Sequence, residues 1–291
     1  MQLTMLSEVR ERPRRVAVGE FDGVHLGHRE VIRGSDTVLT FEPHPLRVVR
    51  PEAAPRLLTS LEAKAELIAG LGVEELVVIP FDEGFAHQSP EEFVDHILVD
   101  RLQATRVSVG ENFRFGHRAA GDPAMLESDP RFQTRVVPLV EVDGEIVSSS
   151  HIRGLVLSGE VALAARFLGA PFRLRGEVVA GDRRGRTLGF PTANIVPDEG
   201  LVCPGHGIYA ARTQQACAAV SIGVRPTFGT GRALLVEAYL LDTDEDLYGE
   251  ILRIDFLERL RGERRFDSPR ALTEQMRIDV ERTREVCAGR S

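Results

Sequence analysis

The sequence predicts an α/β protein in two parts: an N-terminal doubly wound, Rossmann-like domain over residues 1–169, and a small antiparallel β-barrel with a closing helix over residues 170–291. The length of 291 residues is long for one hydrophobic core. Up to about residue 170, short β-rich runs alternate with helical patterns, which favours a parallel sheet covered by helices. After Pro171, strand-like runs follow one another without a helical pattern until Ser268, which favours a small barrel.

The first half is expected to supply the strands of the parallel sheet. Short apolar runs predict buried strands, and apolar residues at helical spacing predict helices. We expect strands at 16–18, 37–41, 76–79 and 107–109, and helices at 61–71 and 90–102. Because ligands bind at the carboxyl ends of the strands in such sheets, the loops after the strands are where chemistry is expected.

The second half is expected to supply the barrel. Strand-like runs, separated by glycine, proline and aspartate turns, lie at 172–179, 207–212, 218–222, 234–241 and 251–256. Ser268 and Pro269 mark the start of the closing helix, since serine is a favoured N-cap and proline a favoured first residue. This helix is expected to run to about Val286.

Composition limits the chemistry of the chain. The net charge of −8 gives no reason to expect nucleic acid as a partner, and no apolar run approaches the roughly 20 residues that a membrane-spanning helix needs. Lys64 is the single lysine, which excludes both a P-loop Gly-Lys-Ser/Thr and the catalytic lysine of protein kinases. Any phosphoryl chemistry must therefore use arginine, histidine, backbone N–H groups and a metal ion.

The cysteines bear on the compartment. Cys203, Cys217 and Cys287 are odd in number and far apart, with no C-x-x-C pair. This spacing favours a reducing compartment, most simply the cytoplasm, over a zinc site or a disulfide framework. The N-terminus carries Glu and Arg between residues 8 and 12 and lacks the apolar core of a secretory signal.

The most informative run is Gly-Glu-Phe-Asp-Gly-Val-His-Leu-Gly-His at 19–28, directly after the first apolar strand. His25 and His28 would share one face at the start of a helix, where unpaired N–H groups and the helix dipole favour phosphate. Gly27 between them would keep the backbone accessible. A lone H-x-x-H fits a surface or core pair of histidines equally well, but the strand–turn–helix setting favours a phosphate cradle. We use this name below for residues 19–28.

A second candidate site lies at 185–194. Gly181 and Gly185 would let a loop close around a ligand, and Thr192 and Asn194 would point the same way along an extended segment. Their hydroxyl and amide oxygens are hard ligands suited to Mg²⁺ that carries ATP phosphates. The alternative is an ordinary hairpin with polar tips.

Glu237 is a carboxylate inside the apolar run 234–240. It is either solvated at a sheet edge or turned into a site as a general base. Leu235 and Tyr239 would lie on the same face of the strand, which indicates partial burial of that face and favours the base.

Together these residues resemble the bacterial bifunctional riboflavin kinase/FMN adenylyltransferase family. The resemblance covers the chain from about Val16 to the closing helix, and the motifs occur in order. They are G-x-F-D-G-x-H-x-G-H at 19–28, Thr-Phe-Glu-Pro-His-Pro at 40–45, Gly-Glu-Asn-Phe-Arg-Phe-Gly at 110–116, Ser-Ser-Ser-His-Ile-Arg at 148–153, Pro-Thr-Ala-Asn at 191–194, Ile-Gly-Val-Arg-Pro-Thr-Phe at 222–228, Leu-Tyr-Gly at 247–249, and Leu-Arg-x-Glu at 260–263, ending at Phe266.

The resemblance implies two ATP-dependent steps. In the barrel, riboflavin would be phosphorylated to FMN with release of ADP, Thr192 and Asn194 holding Mg²⁺ with ATP and Glu237 accepting the hydroxyl proton. In the first domain, a nucleotidyltransferase by this resemblance, FMN and a second ATP would give FAD and pyrophosphate. There His25 and His28 would stabilise charge on the transferring phosphate. A homo-oligomer is an open possibility.

The resemblance also assigns binding residues. ATP would contact Gly19, Phe21, Asp22, Gly23, Ser149, Ser150, Arg153, Gly181 and Gly185, besides the two metal ligands. The flavin would contact Asn112, Phe113, Phe115, Arg261 and Glu263. A core-packing role is an alternative for Phe113 and Phe115.

Several residues depart from the family pattern. Glu20 stands where Asn or Thr is usual, and a carboxylate there is expected to repel phosphates. Asn112 replaces Asp, Ser150-His151 replaces Thr-Arg, and Ser221 stands where Asn is common. Only eleven residues separate His28 from Thr40, so the first helix is expected to be clipped to little more than one turn after His28.

These departures leave alternatives open. One is a riboflavin kinase whose first domain has lost adenylyl transfer and serves as a flavin- or nucleotide-binding scaffold. Another is a non-catalytic flavin-binding protein, which the set of Thr192, Asn194 and Glu237 disfavours because binding alone needs no base. Formation of FMN without FAD would distinguish the first alternative, and formation of neither would favour the second.

Overall fold

The structure is a computed structural model that describes residues 1–179, 190–198, 200–226, 232–243 and 247–289. Its first part is built on a sheet of six strands: β1 (Gln2–Met5), β2 (Arg14–Val18), β3 (Thr37–Glu42), β4 (Glu75–Pro80), β5 (Ala104–Gly110) and β6 (Gln133–Val137). Their order is β1-β4-β3-β2-β5-β6, and every neighbouring pair is parallel. The predicted parallel sheet is confirmed.

Helices connect these strands. They are α1 (Leu26–Ile32), α2 (Pro45–Val49), α3 (Leu61–Ala69), α4 (Glu83–Ala86), α5 (Pro90–Glu92), a π-helix (Phe93–Arg101) and α6 (Pro123–Glu127), with 3-10 turns at Leu6–Glu8, Pro51–Ala53 and His117–Ala119. The ends follow capping chemistry: Ser60 Oγ accepts the Ala63 N–H over 3.2 Å at α3, and Ser89 and Glu92 form a capping box at α5. A short two-stranded ladder, β7 (Glu141–Val142) with β8 (Glu145–Ile146), follows the sheet.

Both faces of the sheet are covered. Val16 and Val18 belong to one buried cluster and Ala17 to another, so successive residues of β2 point to opposite, equally buried faces. This is why the parallel strands are continuous apolar runs rather than alternating ones. Strands β1 and β6 were not predicted, because both lie at the edges of the sheet and carry mostly half-buried or exposed residues.

The strand order reverses next to β2. Strands β3 and β4 lie on one side of it and β5 and β6 on the other, so the connections on the two sides diverge and open a crevice at the carboxyl ends of the strands. The phosphate cradle follows β2, and residues 110–116 begin at the end of β5. Topology therefore brings two of the predicted motifs to the crevice.

The second part is a closed barrel preceded by α7 (Ser149–Ser158) and α8 (Val161–Leu168). Its strands are β9 (Phe172–Val179), β10 (Ala193–Pro197), β11 (Gly207–Arg212), β12 (Cys217–Pro226), β13 (Arg232–Leu240) and β14 (Ile251–Arg261), and helix α9 (Pro269–Ala288) follows them. The order is β10-β13-β12-β11-β14-β9, and the antiparallel pairing of β9 with β10 closes the barrel. Ser268 Oγ caps α9 by accepting the Ala271 N–H over 3.2 Å, as predicted.

The chain divides into two compact units, Met1–Ser149 and Ser150–Ser291. This division lies before the predicted boundary at 169/170 because the two helices that precede the barrel belong with it: α8 packs against β9 and β14, and the Val156 carbonyl in α7 accepts the Gly205 N–H over 3.1 Å. The assignment of one activity to residues 1–169 and the other to 170–291 stays a prediction.

The expectation about cysteines was wrong. Cys217 and Cys287 form a disulfide, with their Cα atoms 6.5 Å apart, and Cys203 is a buried thiol. Cys217 begins β12 and Cys287 lies in the last turn of α9, so the cross-link forms because the closing helix returns to the barrel. Wide spacing in the sequence conceals this, and cysteine spacing therefore does not indicate the compartment.

Two candidate active sites

The cradle is organised by its own histidines. His25 is the N-cap of α1, and its Nδ1 accepts the His28 backbone N–H over 3.2 Å. A ring nitrogen that accepts carries no proton, so this hydrogen bond places the proton of the His25 ring at Nε2. The sequence had suggested that the backbone N–H groups of this first turn would receive phosphate, but the N–H of His28 is used by His25. The backbone N–H of His28 is therefore not free to bind a phosphate.

The two imidazoles form a stacked pair. Their centroids are 3.5 Å apart with the planes 16° from parallel, and the Phe21 ring meets His28 edge-on at 5.3 Å. Burial holds the pKa of His28 well below its usual value of 6.5, and electrostatic interactions with His25 and Lys64 act in the same direction. The His28 ring is therefore neutral near pH 7, with one N–H donor rather than two.

The turn before the histidines is held in an unusual backbone conformation. Phe21 and Val24 have φ values of 52° and 42°, which non-glycine residues rarely adopt and which require support. Asp22 Oδ1 supplies it by accepting the backbone N–H groups of Leu58 at 2.8 Å and Thr59 at 3.1 Å. The buried carboxylate of Asp22 thus braces the loop, and its predicted contact with ATP stays a prediction.

Two glycines of the cradle are explained by packing. A Cβ on Gly19 would lie 3.1 Å from Cζ of Phe21, and one on Gly27 would lie 3.3 Å from Cε1 of His25. These distances are tighter than ordinary van der Waals contact, so both glycines make room for the rings that shape the cradle. At Gly23 the cause is conformational, since its φ is 84°.

The first helix is short but formed. It spans Leu26–Ile32 and buries Val31 and Ile32, which anchors it on the sheet. Seven residues make about two turns. The short spacing between His28 and Thr40 therefore shortens the connection from β2 to β3 without removing the helix that carries His28.

Glu20 differs from its expected behaviour. Burial raises its pKa to about 8; Lys64 opposes this shift, and Asp22 and Glu42 add to it. A carboxyl with this pKa is mostly protonated and uncharged at pH 7. The repulsion of phosphates expected from the sequence is therefore largely absent at neutral pH.

The predicted flavin contacts of the first unit divide into exposed and packed residues. Asn112 is exposed, whereas Phe115 is 6% exposed and part of a hydrophobic core cluster. Phe113 is half-buried and stacks on Phe115 with centroids 5.6 Å apart. Core packing therefore accounts for Phe115, and Asn112 and Phe113 are left as the accessible candidates.

Ser149, Ser150 and Arg153 lie at the start of α7. Ser149 Oγ donates to the backbone carbonyl of Asp22 over 2.9 Å, which ties this residue to the cradle turn within the first unit. In the second unit, Arg153 donates to Ser150 Oγ over 3.1 Å. Their contacts with phosphate stay predictions.

The second site lies on the barrel. Asn194 in β10 is paired directly with Glu237 in β13, and Glu237 is paired on its other side with Ser221 in β12. Directly paired residues in antiparallel strands have their side chains on one face, with Cβ atoms about 4.5–5.5 Å apart. The structure therefore brings together an amide, a carboxylate and a hydroxyl that are far apart in the sequence.

This face is the outer one. Val236 and Ala238, the neighbours of Glu237, are 0% exposed and point into the barrel, so Glu237 points outward. It lies in an inner strand of the sheet, between β10 and β12, and is half-buried. The explanation of Glu237 as an edge residue therefore fails. Tyr239 shares this face and meets the Phe190 ring edge-on at 5.2 Å.

Glu263 lies on the same side of the barrel. A Cβ built on Gly223 would collide with the Glu263 carboxylate, and Gly223 is two residues from Ser221 and therefore on the same face. His206 Nδ1 lies 3.7 Å from Glu263 Oε2. The structure thus brings one predicted flavin residue to the face that carries Glu237.

Arg261 has a partner that the sequence did not reveal. Its Nε and Nη2 donate to Asp279 of α9 over 3.0 and 2.7 Å, and Gln275 donates to the same carboxylate over 3.0 Å. Asp279 is 6% exposed. The guanidinium is therefore fixed by the closing helix, and its predicted contact with the flavin stays a prediction.

The remaining residues of the second site are only partly described. Thr192 is half-buried and lies just before β10, and Asn194 is 8% exposed, whereas Gly181 and Gly185 lie outside the described residues. Within the described ranges, no group of three His, Cys, Asp or Glu side chains is placed to hold a metal ion. Hydroxyl and amide oxygens beside a carboxylate fit Mg²⁺, which prefers oxygen ligands.

Sequence reasoning did not reveal the place of three residues near these sites: Lys64, Thr40 and Asp279. Lys64 and Thr40 lie behind the cradle, where Lys64 Nζ donates to Thr40 Oγ1 over 3.3 Å. Because Lys64 is the single lysine of the chain, the sequence alone could have marked it as a residue of interest. The role of Asp279 depends on how α9 packs against β14, which periodicity does not reveal.

The phosphate cradle lies in one compact unit and the Asn194–Glu237 pair in the other, and comparison with known proteins shows that the chain is a transferase. Two family models match the chain in tandem, FAD synthetase over residues 7–151 and riboflavin kinase over residues 168–287. The chain belongs to the family of bifunctional riboflavin kinase/FMN adenylyltransferases, as its motifs predicted.

Curated relatives carry that description over nearly their whole length. A protein of Listeria monocytogenes is 37% identical, covering 92% of this chain and 91% of its own. Proteins of Bacillus subtilis and Escherichia coli are 36% and 34% identical, covering 91% and 93% of this chain and 89% and 91% of their own. These matches favour the bifunctional interpretation over a kinase alone.

A solved structure from Streptococcus pneumoniae, described as a macrolide-efflux protein, is similar to the whole chain. Its TM-score is 0.88 at 30% identity, covering 97% of this chain and 98% of its own. Within the part of this chain that the structure describes, no helix is long and apolar enough to cross a membrane.

Proposed function

We propose that the barrel phosphorylates riboflavin with ATP and that the cradle then adenylylates the FMN formed, giving FAD. The observation that supports the first step most strongly is the direct pairing of Asn194 with Glu237. For the second step it is the stacked pair of His25 and His28 at the carboxyl end of β2. Matching family models for both activities support their combination in one chain.

In the first step, Glu237 accepts the proton of the ribityl 5′-hydroxyl as its oxygen forms a bond to the γ-phosphorus of ATP. The bond from that phosphorus to the β–γ bridging oxygen breaks, and ADP leaves. Thr192 and Asn194 would hold Mg²⁺, which supplies charge neutralisation for the phosphates when bound. The chain itself contributes the position of the base beside the metal ligands and the half-buried face of β13.

In the second step, a phosphate oxygen of FMN forms a bond to the α-phosphorus of a second ATP. The bond to the α–β bridging oxygen breaks and pyrophosphate leaves. His25, whose proton lies at Nε2, and the neutral His28 ring donate hydrogen bonds to the negative charge that develops on the transferring group. Ser149, Ser150 and Arg153 are proposed to bind phosphates of ATP.

Riboflavin, FMN, FAD, ATP, ADP and pyrophosphate are the proposed small-molecule partners. Since both steps consume ATP, we propose the cytoplasm as the location. Association of several copies stays a prediction.

One assay tests the function. Riboflavin, ATP and MgCl₂ are incubated with the full chain, and the flavins are separated by chromatography. We expect FMN to appear first and FAD to follow, with no product when EDTA replaces MgCl₂. FMN that accumulates without FAD would overturn the second step, and unchanged riboflavin with a folded protein would overturn both.

A further inference from the structure

Lys64, the single lysine of the chain, is buried inside the first unit. It lies in the middle of α3 with 4% of its surface exposed, and its Nζ donates to Thr40 Oγ1 over 3.3 Å. The Thr40 hydroxyl in turn donates to the backbone carbonyl of Glu20 over 3.2 Å. Two successive hydrogen bonds therefore join Lys64 to the second residue of the cradle.

The groups that face Lys64 come from several elements. The carboxyl groups of Glu20 and Asp22 in the cradle and of Glu42 at the end of β3 interact electrostatically with its ammonium, as does His28 in α1. A buried ammonium costs several kcal/mol unless opposite charge compensates it. The other buried residues of α3 are apolar and belong to a core cluster. Packing alone therefore does not require a lysine here, and we attribute the role of Lys64 to its charge.

His28 responds to that charge. Its Nδ1 is buried and has no hydrogen-bond partner among the described residues. Lys64 is one of the groups that lower the pKa of this ring, after burial and His25. Without the ammonium, the ring would take up a second proton more readily, because a nearby positive charge opposes protonation.

We propose that Lys64 is a positioning residue of the adenylyl-transfer site: its buried ammonium holds the Thr40–Glu20 hydrogen bonds behind the cradle and directs a fixed positive charge toward the triphosphate of ATP. This inference rests on the proposed function, which places adenylyl transfer at His25 and His28. Lys64 acts through the cradle and does not touch the reacting atoms.

The single lysine allows a direct test on the unmodified chain. Labelling with ε-¹³C-lysine gives one lysine signal in the NMR spectrum of the full-length protein. We expect that signal to titrate below the ordinary pKa of lysine, and to move when Mg²⁺ and α,β-methylene ATP are added. The movement should persist in Asn194→Ala, whose barrel site is weakened. A signal that titrates normally and ignores the nucleotide would overturn the proposal.

Variants test the role in the reaction. We expect Lys64→Met to lower kcat/KM for FAD formation from FMN at least about tenfold, and to move the acid limb of its pH profile upward by about one unit. Lys64→Arg should keep the limb in place because it keeps the charge. Riboflavin phosphorylation is expected to be unchanged in both, and Glu62→Gln, an exposed change on the same helix, should alter neither activity.

The outcomes separate this proposal from the proposed function. If His28→Asn still makes FAD at the wild-type rate, adenylyl transfer does not occur at the cradle and the proposed function fails. If His28→Asn loses FAD formation but Lys64→Met keeps both rate and pH profile, only the inference fails. A lower rate with an unmoved profile would show a merely structural lysine. If Lys64→Met does not fold, the titration of the wild-type lysine signal and its response to the nucleotide decide whether the proposal holds.

Discussion

Asn194 and Glu237 are directly paired on neighbouring antiparallel strands of the barrel. The pairing sets an amide group beside a carboxylate on the outer face of the barrel. Ser221 flanks Glu237 on the other side, so the carboxylate lies between two uncharged hydrogen-bonding groups. An arrangement of this kind suits a base that works next to a metal-bound triphosphate.

Glu237→Gln should lower FMN formation from riboflavin at least about a hundredfold, because the amide cannot accept the hydroxyl proton while its shape is kept. FAD formation from supplied FMN should stay at the wild-type rate, since His25 and His28 lie in the other compact unit. Both rates are measured by chromatography of the flavins. Loss of both activities in a folded variant would contradict the separation of the sites.

Asn194→Ala should raise the Mg²⁺ concentration needed for half-maximal FMN formation about tenfold or more, since the proposed Mg²⁺ site then lacks one oxygen ligand. Val196→Ala is a matched control, because Val196 lies on the same strand two residues away and is 57% exposed. Initial rates over a range of MgCl₂ concentrations give both values. Equal Mg²⁺ requirements in the two variants would remove Asn194 from the metal site.

His28→Asn should lower FAD formation from FMN about a hundredfold or more through loss of a donor to the transferring phosphate. His25→Asn should cost as much or more, because His25 also accepts the backbone N–H of His28 and caps α1. Conversion of riboflavin to FMN serves as the internal control in both. An undiminished rate of FAD formation would show that the histidines only pack against each other.

Glu20→Gln should change the pH dependence of stability. Burial raises the pKa of Glu20 from 4.5 to about 8, so between these values the folded chain binds more protons than the unfolded chain, and stability is lost as the pH rises through 8. Relative to wild type, the glutamine variant should gain about 4 kcal/mol between pH 5 and pH 8.5. Urea unfolding at both pH values measures this. A difference that does not change with pH would show an ordinary exposed carboxylate.

Asp279→Asn should weaken the hold of the closing helix on Arg261. One charge of a largely buried, two-bond pair is removed, and we expect a loss of about 1–3 kcal/mol in stability. If Arg261 contacts the flavin, the KM for riboflavin should rise as well. Glu285→Gln, which alters an exposed pair with Arg282, is the control. A variant as stable as this control would show that Asp279 does not fix Arg261.

The fold was largely predictable because the apolar residues of each half follow a clear pattern. Continuous apolar runs such as 16–18 and 76–79 predicted strands buried on both faces, and the Ser268-Pro269 pair predicted where the last helix begins. The edge strands β1 and β6 were missed because most of their residues are half-buried or exposed and form no continuous apolar run. Strand β10 was anticipated only as an extended segment, since prolines at 191 and 197 frame it.

The sites were predictable as motifs but not as arrangements. Which strands are neighbours in the barrel decides that Asn194, Glu237 and Ser221 meet, and the sequence carries no local sign of that order. Charge states were equally hidden. Glu20 was expected to repel phosphate because the sequence does not show its burial, and Lys64 was used only to exclude other folds because its neighbours come from three different segments.

The central claim is that one chain carries two independent sites that act in sequence, and mixing variants tests it most directly. Glu237→Gln and His28→Asn are each incubated with riboflavin, ATP and MgCl₂, alone and together, and FAD is quantified by chromatography. Glu237→Gln alone should leave riboflavin unchanged, and His28→Asn alone should form FMN but no FAD. Together they should make FAD, because FMN released by one is used by the other. Absence of FAD from the mixture, with both variants folded and His28→Asn making FMN, would contradict the account.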